Sequence, residues 1–288
     1  MIKPVIVATD GSPAAVAAVE WAAGDAARKG LPLRIVHAVD RLPYELTRYP
    51  VVPSDDQLIR AGRRVLEEAE QAVRETHPAL RVTTALSEGE PVKVLRREAA
   101  DGAEIVIGSR GHGGFAGMLL GSVSTHLAGQ VPVPLVVVRP ESSAPHGLIV
   151  VGVDGSDEAE AALTYAFEEA RLRGCRLLGL YAWQLPVHAY APEITYDIDE
   201  VRQAQEEHVA TVVATYRERY PDVDAEIRAV CAHPVPVLVE AAEKADLLVV
   251  GSRGHGAIGS VVLGSVSRAV LHHAGCPVAV VRPSTADQ

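Results

Sequence analysis

Two stretches of the chain set glycines, hydroxyls and an arginine at the spacing of an anion cradle. One runs Gly108-Ser109-Arg110-Gly111-His112-Gly113-Gly114 and resumes, after nine residues beyond Gly111, as Gly121-Ser122-Val123-Ser124. The other runs Gly251-Ser252-Arg253-Gly254-His255-Gly256-Ala257 and resumes, after nine residues beyond Gly254, as Gly264-Ser265-Val266-Ser267. Glycine permits positive φ and lets backbone amides approach a ligand closely. A Gly-Ser pair that opens a helix offers unpaired amides and a favourable dipole to an anion. The chemistry suggested is the grip of a phosphate-bearing ligand. The first glycine pair faces a ribose and its inner phosphates, and the second pair holds the outer ones.

Two rival motifs are read and set aside. Gly254-His255-Gly256-Ala257-Ile258-Gly259 matches the dinucleotide fingerprint letter for letter. That fingerprint needs the first strand of its unit and an acidic residue about 20 positions on. Here it follows the fourth strand, and no Asp or Glu occurs from Arg253 through Ala286. A Walker loop needs Gly-Lys before its hydroxyl, whereas Leu120 precedes Gly121 and the loop holds no lysine. A cradle without that lysine binds a triphosphate without a fast route to its hydrolysis. A metal role for His112 or His255 lacks a partner at ligand spacing.

The elements that must carry these loops come in two copies. Val5-Ile6-Val7-Ala8-Thr9-Asp10-Gly11-Ser12 returns as Ile149-Val150-Val151-Gly152-Val153-Asp154-Gly155-Ser156, 144 residues later. The glycine blocks return at 143. Three blocks in register across most of a domain mean duplication with one small indel. The join, Pro140-Glu141-Ser142-Ser143-Ala144-Pro145-His146-Gly147, reads as a linker. This predicts domains at 1–143 and 144–288, each of a size that buries its own core.

Within the first copy, residues 4–9 are an apolar run, as expected of a strand covered on both faces. Ser12 is placed to cap a helix with Pro13 at its first position, running to Lys29 and stopped by Gly30. Strands follow at Leu33–Val39, Val82–Leu86, Ala103–Gly108 and Pro134–Val138. Helices are expected at Asp55–Glu75, Pro91–Ala100 and Gly121–Gly129, with a proline-bearing loop over 40–54. Strands alternating with helices imply a five-stranded, parallel, doubly wound sheet of the α/β class in each half. Such sheets take ligands beyond the carboxyl ends of the strands, where strand order reverses. Asp10, the loop after Val39 and the loop after Ile107 all lie at that edge.

Composition sets bounds on function. The 288 residues are 48% hydrophobic and carry 27 basic against 37 acidic side chains, a net charge of −10. That balance argues against general nucleic-acid binding, which needs a basic face. No apolar stretch reaches the length of a membrane span. Met1-Ile2-Lys3-Pro4 leads straight into the first strand, without a charged leader. The three cysteines, Cys175, Cys231 and Cys276, form neither a disulfide framework nor a zinc pattern. They read as buried or half-buried thiols in a reducing, cytoplasmic protein. The tyrosines of the 40–54 and 183–197 loops, with Trp21 and Trp183, either cover the crevice or simply pack.

The aspartate after the first strand, the Gly-x2-Gly-x9-Gly-Ser spacing and the apolar closing strand resemble the universal stress protein family, in its tandem, ATP-binding branch. The resemblance covers both halves. It implies a Rossmann-like fold of the adenine nucleotide alpha hydrolase type, with closing strands 134–138 and 277–281 pairing domain against domain. It implies ATP as the ligand, with Mg2+ bridging phosphates and one site per domain. Asp10 and Asp154 would meet the ribose, and the strand ends at Ala38 and Ala182 the adenine. Gly108, Arg110, Gly111, His112 and Gly113 would line the ribose and phosphates, as would Gly251, Arg253, Gly254, His255 and Gly256. Ser122, Val123 and Ser124, with Ser265, Val266 and Ser267, would hold the terminal phosphates. Ala8, Ser12, Ser109, Gly114 and Gly121 complete the first set; Gly152, Ser156, Ser252, Ala257 and Gly264 complete the second. Ala8 in place of Gly152 adds a methyl that narrows the first site, so the two are expected to differ in affinity. The implied role is a stress or signalling module that hydrolyses ATP slowly or not at all. It implies a homodimer with a downstream protein partner and no part for nucleic acid or membrane.

Overall fold

The computed structural model describes residues 2–40, 55–112, 120–140, 145–184, 197–254 and 263–283. The described residues cluster into two compact units that divide between Ser142 and Ser143. Gly113, Gly114, His255, Gly256 and Ala257 lie outside the described residues, as do the tyrosines within 41–54 and 185–196.

In the first unit the elements run β1 (Val5–Ala8), α1 (Pro13–Lys29), β2 (Leu33–Val39), α2 (Asp55–Thr76) and β3 (Val82–Glu88). They continue α3 (Pro91–Ala100), β4 (Glu104–Gly108), α4 (Ser122–Leu127) and β5 (Leu135–Val138). The strand order is β3-β2-β1-β4-β5, parallel at each pairing. The chain winds one way from β1 and the other way from β4, so the switch point lies between them. The sheet's centre is dry: Val5, Val7, Leu33, Ile35, Ile105 and Val106 are fully buried.

Local chemistry sets the helix ends. The Ser12 hydroxyl accepts the Ala15 amide at 3.3 Å, and Pro13 opens α1. Gly30, at φ 64°, closes the helix with its amide on Ala26 and Ala27 carbonyls. The helix α4 is shorter than the expected Gly121–Gly129. Gly121 acts as its N-cap without a side chain, and Gly129 turns the chain at φ 80°.

The second unit repeats the plan: β6 (Leu148–Val153), α5 (Asp157–Arg173), β7 (Arg176–Trp183), α6 (Ile198–Arg219) and β8 (Ala225–Cys231). Then come α7 (Pro234–Ala242), β9 (Leu247–Gly251), α8 (Ser265–His273) and β10 (Val278–Val281). Its order is β8-β7-β6-β9-β10, again parallel. Just before β9, the Asp246 carboxylate accepts the amides of His146, Gly147 and Leu148 at 2.6, 2.8 and 3.3 Å. That clamp fixes the start of β6.

The two cores are filled differently. Alanines dominate the buried face of α1, whereas α5 places Phe167 where α1 has Ala23. The Phe167 ring stacks on Tyr216 and Tyr220 of α6, centroids 5.3 and 5.4 Å apart. In the first unit β4 begins with Glu104, a buried carboxylate held by Lys29 Nζ at 2.6 Å; Lys29 also reaches Asp25 at 2.8 Å. The second unit has Leu247 in place of Glu104, and pairs Arg173 with buried Glu169 at 2.8 Å.

The cysteines differ from expectation at one position. Cys276 is buried and Cys175 half-buried, but Cys231 is exposed. It ends β8, an outer strand whose successive side chains alternate between cover and solvent. Among the described residues no helix is long and apolar enough to cross a membrane.

Candidate functional site

At the switch point of the first unit a cavity of about 570 Å³ opens beyond the ends of β1, β2 and β4. Its apolar wall comes from Ala8, Val36, Ala38, Leu95, Ile107 and Leu120. Its polar rim comes from Asp10, Arg110, His112, Ser122 and Ser124.

Asp10 is half-buried where β1 ends. One carboxylate oxygen accepts the Ser12 amide at 3.0 Å, and the other accepts the His112 amide at 3.1 Å. Burial alone would push this carboxyl up. Hydrogen bonding from Ser12 and the His112 amide, with the His112 ring nearby, outweighs burial and holds it below the ordinary aspartate range. The group is therefore ionised at neutral pH.

The motif glycines serve close approach rather than left-handed backbone. Gly108, Gly111 and Gly121 have no positive φ, nor do Gly251, Gly254 and Gly264. A β-carbon on Gly111 would collide with Asp10 Oδ2, and one on Gly254 with Asp154 Oδ2. A β-carbon on Gly108 would stand 2.6 Å from the Ala14 carbonyl carbon, inside the first turn of α1. The glycines thus let loop, aspartate and helix start share one small volume.

The far side of the cavity is the mouth of α4. The Gly121 amide is used by the Ser109 carbonyl at 2.8 Å, and the first intrahelical donor is Thr125, to Gly121 at 3.1 Å. The amides of Ser122, Val123 and Ser124 precede that bond, the usual open donors of a helix start. Ser122 is exposed and Val123 half-exposed. Ser124 is different: its hydroxyl donates to the Gly108 carbonyl at 3.0 Å, tying α4 to the end of β4.

Two expected residues do not line the cavity. Ser12 caps α1 and donates to the Arg110 carbonyl at 3.2 Å. Ser109 is 1% exposed, its hydroxyl turned into protein. The residues that sequence reasoning missed are the apolar wall and rim pieces Thr9, Ala15, Val36, Pro91, Leu95, Ile107 and Leu120. Their only signal was adjacency to the strand ends and to the first turns of α1 and α3.

The second unit builds the same constellation from its own residues. Asp154 Oδ1 accepts the Ser156 amide at 3.1 Å and the Ser156 hydroxyl at 2.6 Å. Ser156 also caps α5 through the Ala159 amide at 3.3 Å. Ser267 donates to the Gly251 carbonyl at 2.6 Å, matching Ser124. The Gly264 amide meets the Ser252 carbonyl at 2.9 Å, and Arg268 is the first intrahelical donor. That leaves the amides of Ser265, Val266 and Ser267 at the mouth of α8. Ala182 sits half-buried near the end of β7. A β-carbon on Gly152 would touch Leu238 and Val250 at 3.3 to 3.5 Å. The methyl that Ala8 adds therefore belongs to the apolar wall rather than to the polar rim.

One contact has no counterpart in the first unit. Arg253 Nη2 pairs with Glu158 Oε1 at 2.8 Å. Ala14 stands where Glu158 does, and Arg110 is exposed with no ion-pair partner among the described residues.

Comparison with known proteins places this geometry. The family model described as "Universal stress protein family" matches residues 1–139 and again 147–282. Universal stress protein Rv2005c of Mycobacterium tuberculosis is 35% identical, covering 97% of each chain. Universal stress protein Rv2623 of the same organism is 36% identical, covering 97% of this chain and 96% of its own. Among solved structures, a universal stress protein from Archaeoglobus fulgidus superposes with a TM-score of 0.71. It is 21% identical, over 99% of this chain and 98% of that one, a likeness of fold.

Proposed function

This chain belongs to the universal stress protein family, and on that premise we propose that each half is an ATP-binding module whose occupancy, rather than turnover, carries a signal. The observation that carries the reading is the switch-point cavity with its apolar wall, ionised aspartate and row of open amides. A volume of about 570 Å³ lies within the range of small-ligand sites.

Each part suits one part of an adenine nucleotide. Ala8, Val36, Ala38 and Leu95 offer the flat apolar surface a purine packs against, with strand-end backbone near Ala38 for its edge. The Asp10 carboxylate keeps lone pairs for ribose hydroxyls. The amides of Ser122 and Val123 and the Arg110 guanidinium receive phosphate oxygens. Mg2+ would ride on those oxygens. The cradle formed by Gly111 against Asp10 fits such a ligand, since any side chain there would fill it.

Hydrolysis is slow on this reading. The loop supplies no lysine, and both Asp10 oxygens already accept amide hydrogens, which makes the carboxylate a weak base. The reading extends to a cytoplasmic homodimer that shows its occupied state to a protein partner.

The test is to denature purified protein and count the nucleotides released per chain, then titrate ATP into nucleotide-stripped protein. Up to two ATP per chain are expected, and Gly111→Ala should remove one of them. Failure of stripped protein to bind any adenine nucleotide would refute the proposal. So would turnover faster than about 1 per second, the ordinary range for an enzyme.

A further inference from the structure

We propose that Glu158 weakens the second half's preference for added phosphate charge, whereas the first half's site, with Arg110 uncommitted, favours the triphosphate more strongly. This rests on the nucleotide reading above and assigns each half a charge preference.

The geometry is specific to one half. Arg110 and Arg253 hold the same place between the serine and second glycine of their loops. Arg110 lines the first cavity and is exposed. Arg253 is drawn onto Glu158 at 2.8 Å, with 26% and 15% of the two side chains exposed. Glu158 is the second residue of α5, so its carboxylate stands in the positive field of a helix start. It is held there closely: a β-carbon on Gly251 would lie only 3.0 Å from Glu158 Cβ. The first half has Ala14, which carries no charge, at that place.

A second cation joins the cluster. Burial pushes the Arg282 guanidinium down from its ordinary value; Arg253 pushes the same way, and Glu158 opposes both. Glu158 therefore offsets one of two arginine charges beside the loop. A phosphate arriving at Arg253 must displace that carboxylate or stand next to it. Each added phosphate charge meets a repulsion that the first half lacks. The first half pulls on every added charge through Arg110.

The experiment uses the full chain carrying Gly111→Ala to silence the first site, with calorimetric titrations of ATP and of AMP. Glu158→Ala and the size-preserving Glu158→Gln are compared with native Glu158. Removing the Glu158 charge beside Arg253 should raise the ratio of ATP to AMP affinity at the second site by about twofold to fivefold, the worth of one partly exposed charge pair. In the native chain, the first site should show the steeper ATP-over-AMP preference. An unchanged ratio in Glu158→Gln overturns the proposal. An equal gain for ATP and AMP also overturns it, since that would make Glu158 a steric plug. If neither nucleotide binds the native chain, the nucleotide reading itself falls. Binding with equal charge preference at both sites sinks only the present inference.

Discussion

The two halves agree where backbone packs against backbone and differ where charge meets charge. Both keep a glycine whose β-carbon would strike an aspartate oxygen, and both tie the loop helix to the fourth strand through a serine hydroxyl. Yet the Ser12 hydroxyl donates to the Arg110 carbonyl, while the Ser156 hydroxyl donates to Asp154. Arg110 faces solvent, while Arg253 is bridged. One fourth strand starts with a buried glutamate and the other with leucine. A steric rule admits one solution, so both copies retain it. A charge can be moved or cancelled without disturbing the chain path, so electrostatics is where duplicated sites acquire different preferences.

The largest expected effect breaks the electrostatic side of that comparison. Lys29→Met removes a cation from Glu104 and from Asp25, both buried, although Asp25 keeps Arg28 at 3.3 Å. Removing one partner of a buried ion pair costs about 3–5 kcal/mol, so urea denaturation should show the first half's transition moved to much lower denaturant. Adding Glu104→Leu, which imitates Leu247, should recover much of the loss. Failure to recover would mean that the glutamate has a positive role of its own.

A smaller effect probes the shared staple. Ser124→Ala and Ser267→Ala each remove a hydroxyl bond to a strand-end carbonyl, worth about 1 kcal/mol net. The two losses should be alike in denaturation midpoints, and a large disparity would show that the halves differ here too.

The smallest effect concerns pH. The Asp10 carboxyl is held below its ordinary value, so its contribution to stability is present above that value and fades as pH falls through the lowered one. The denaturation midpoint should therefore be flat in this contribution at neutral pH and decline below about pH 4. Asp10→Asn should remove that share of the acid sensitivity. An Asp10→Asn chain with an unchanged acid limb would show that the carboxylate is not stabilised by its amides.

Much of this was legible in the residues. Strand and helix succession followed from apolar runs broken by Ser-Pro and Gly signals, and Gly30 and Ser12 do what their types suggest. The glycine spacing pointed to the cavity, although the reason differs: Gly111 and Gly108 avoid collision with Asp10 and Ala14 and do not adopt positive φ. Pairwise closeness of that kind depends on residues about a hundred positions apart and leaves no local mark. Glu158 was invisible for a related cause, since an acid in a first helical turn is ordinary and its partner lies 95 residues further on. Leu95 and Ile107 read as plain core until the sheet brings them to the cavity wall. Cys231 was misjudged because a strand's outer position in its sheet is not written in its composition.

The carboxylate of Asp246, gripping three successive amides from His146 to Leu148, decides where the protein can be cut. A fragment meant to hold the second half alone should begin at or before residue 145, because starting later discards a strut rather than slack. Residues can be inserted ahead of that grip as spacers, whereas the same insertion behind it would unseat the opening strand.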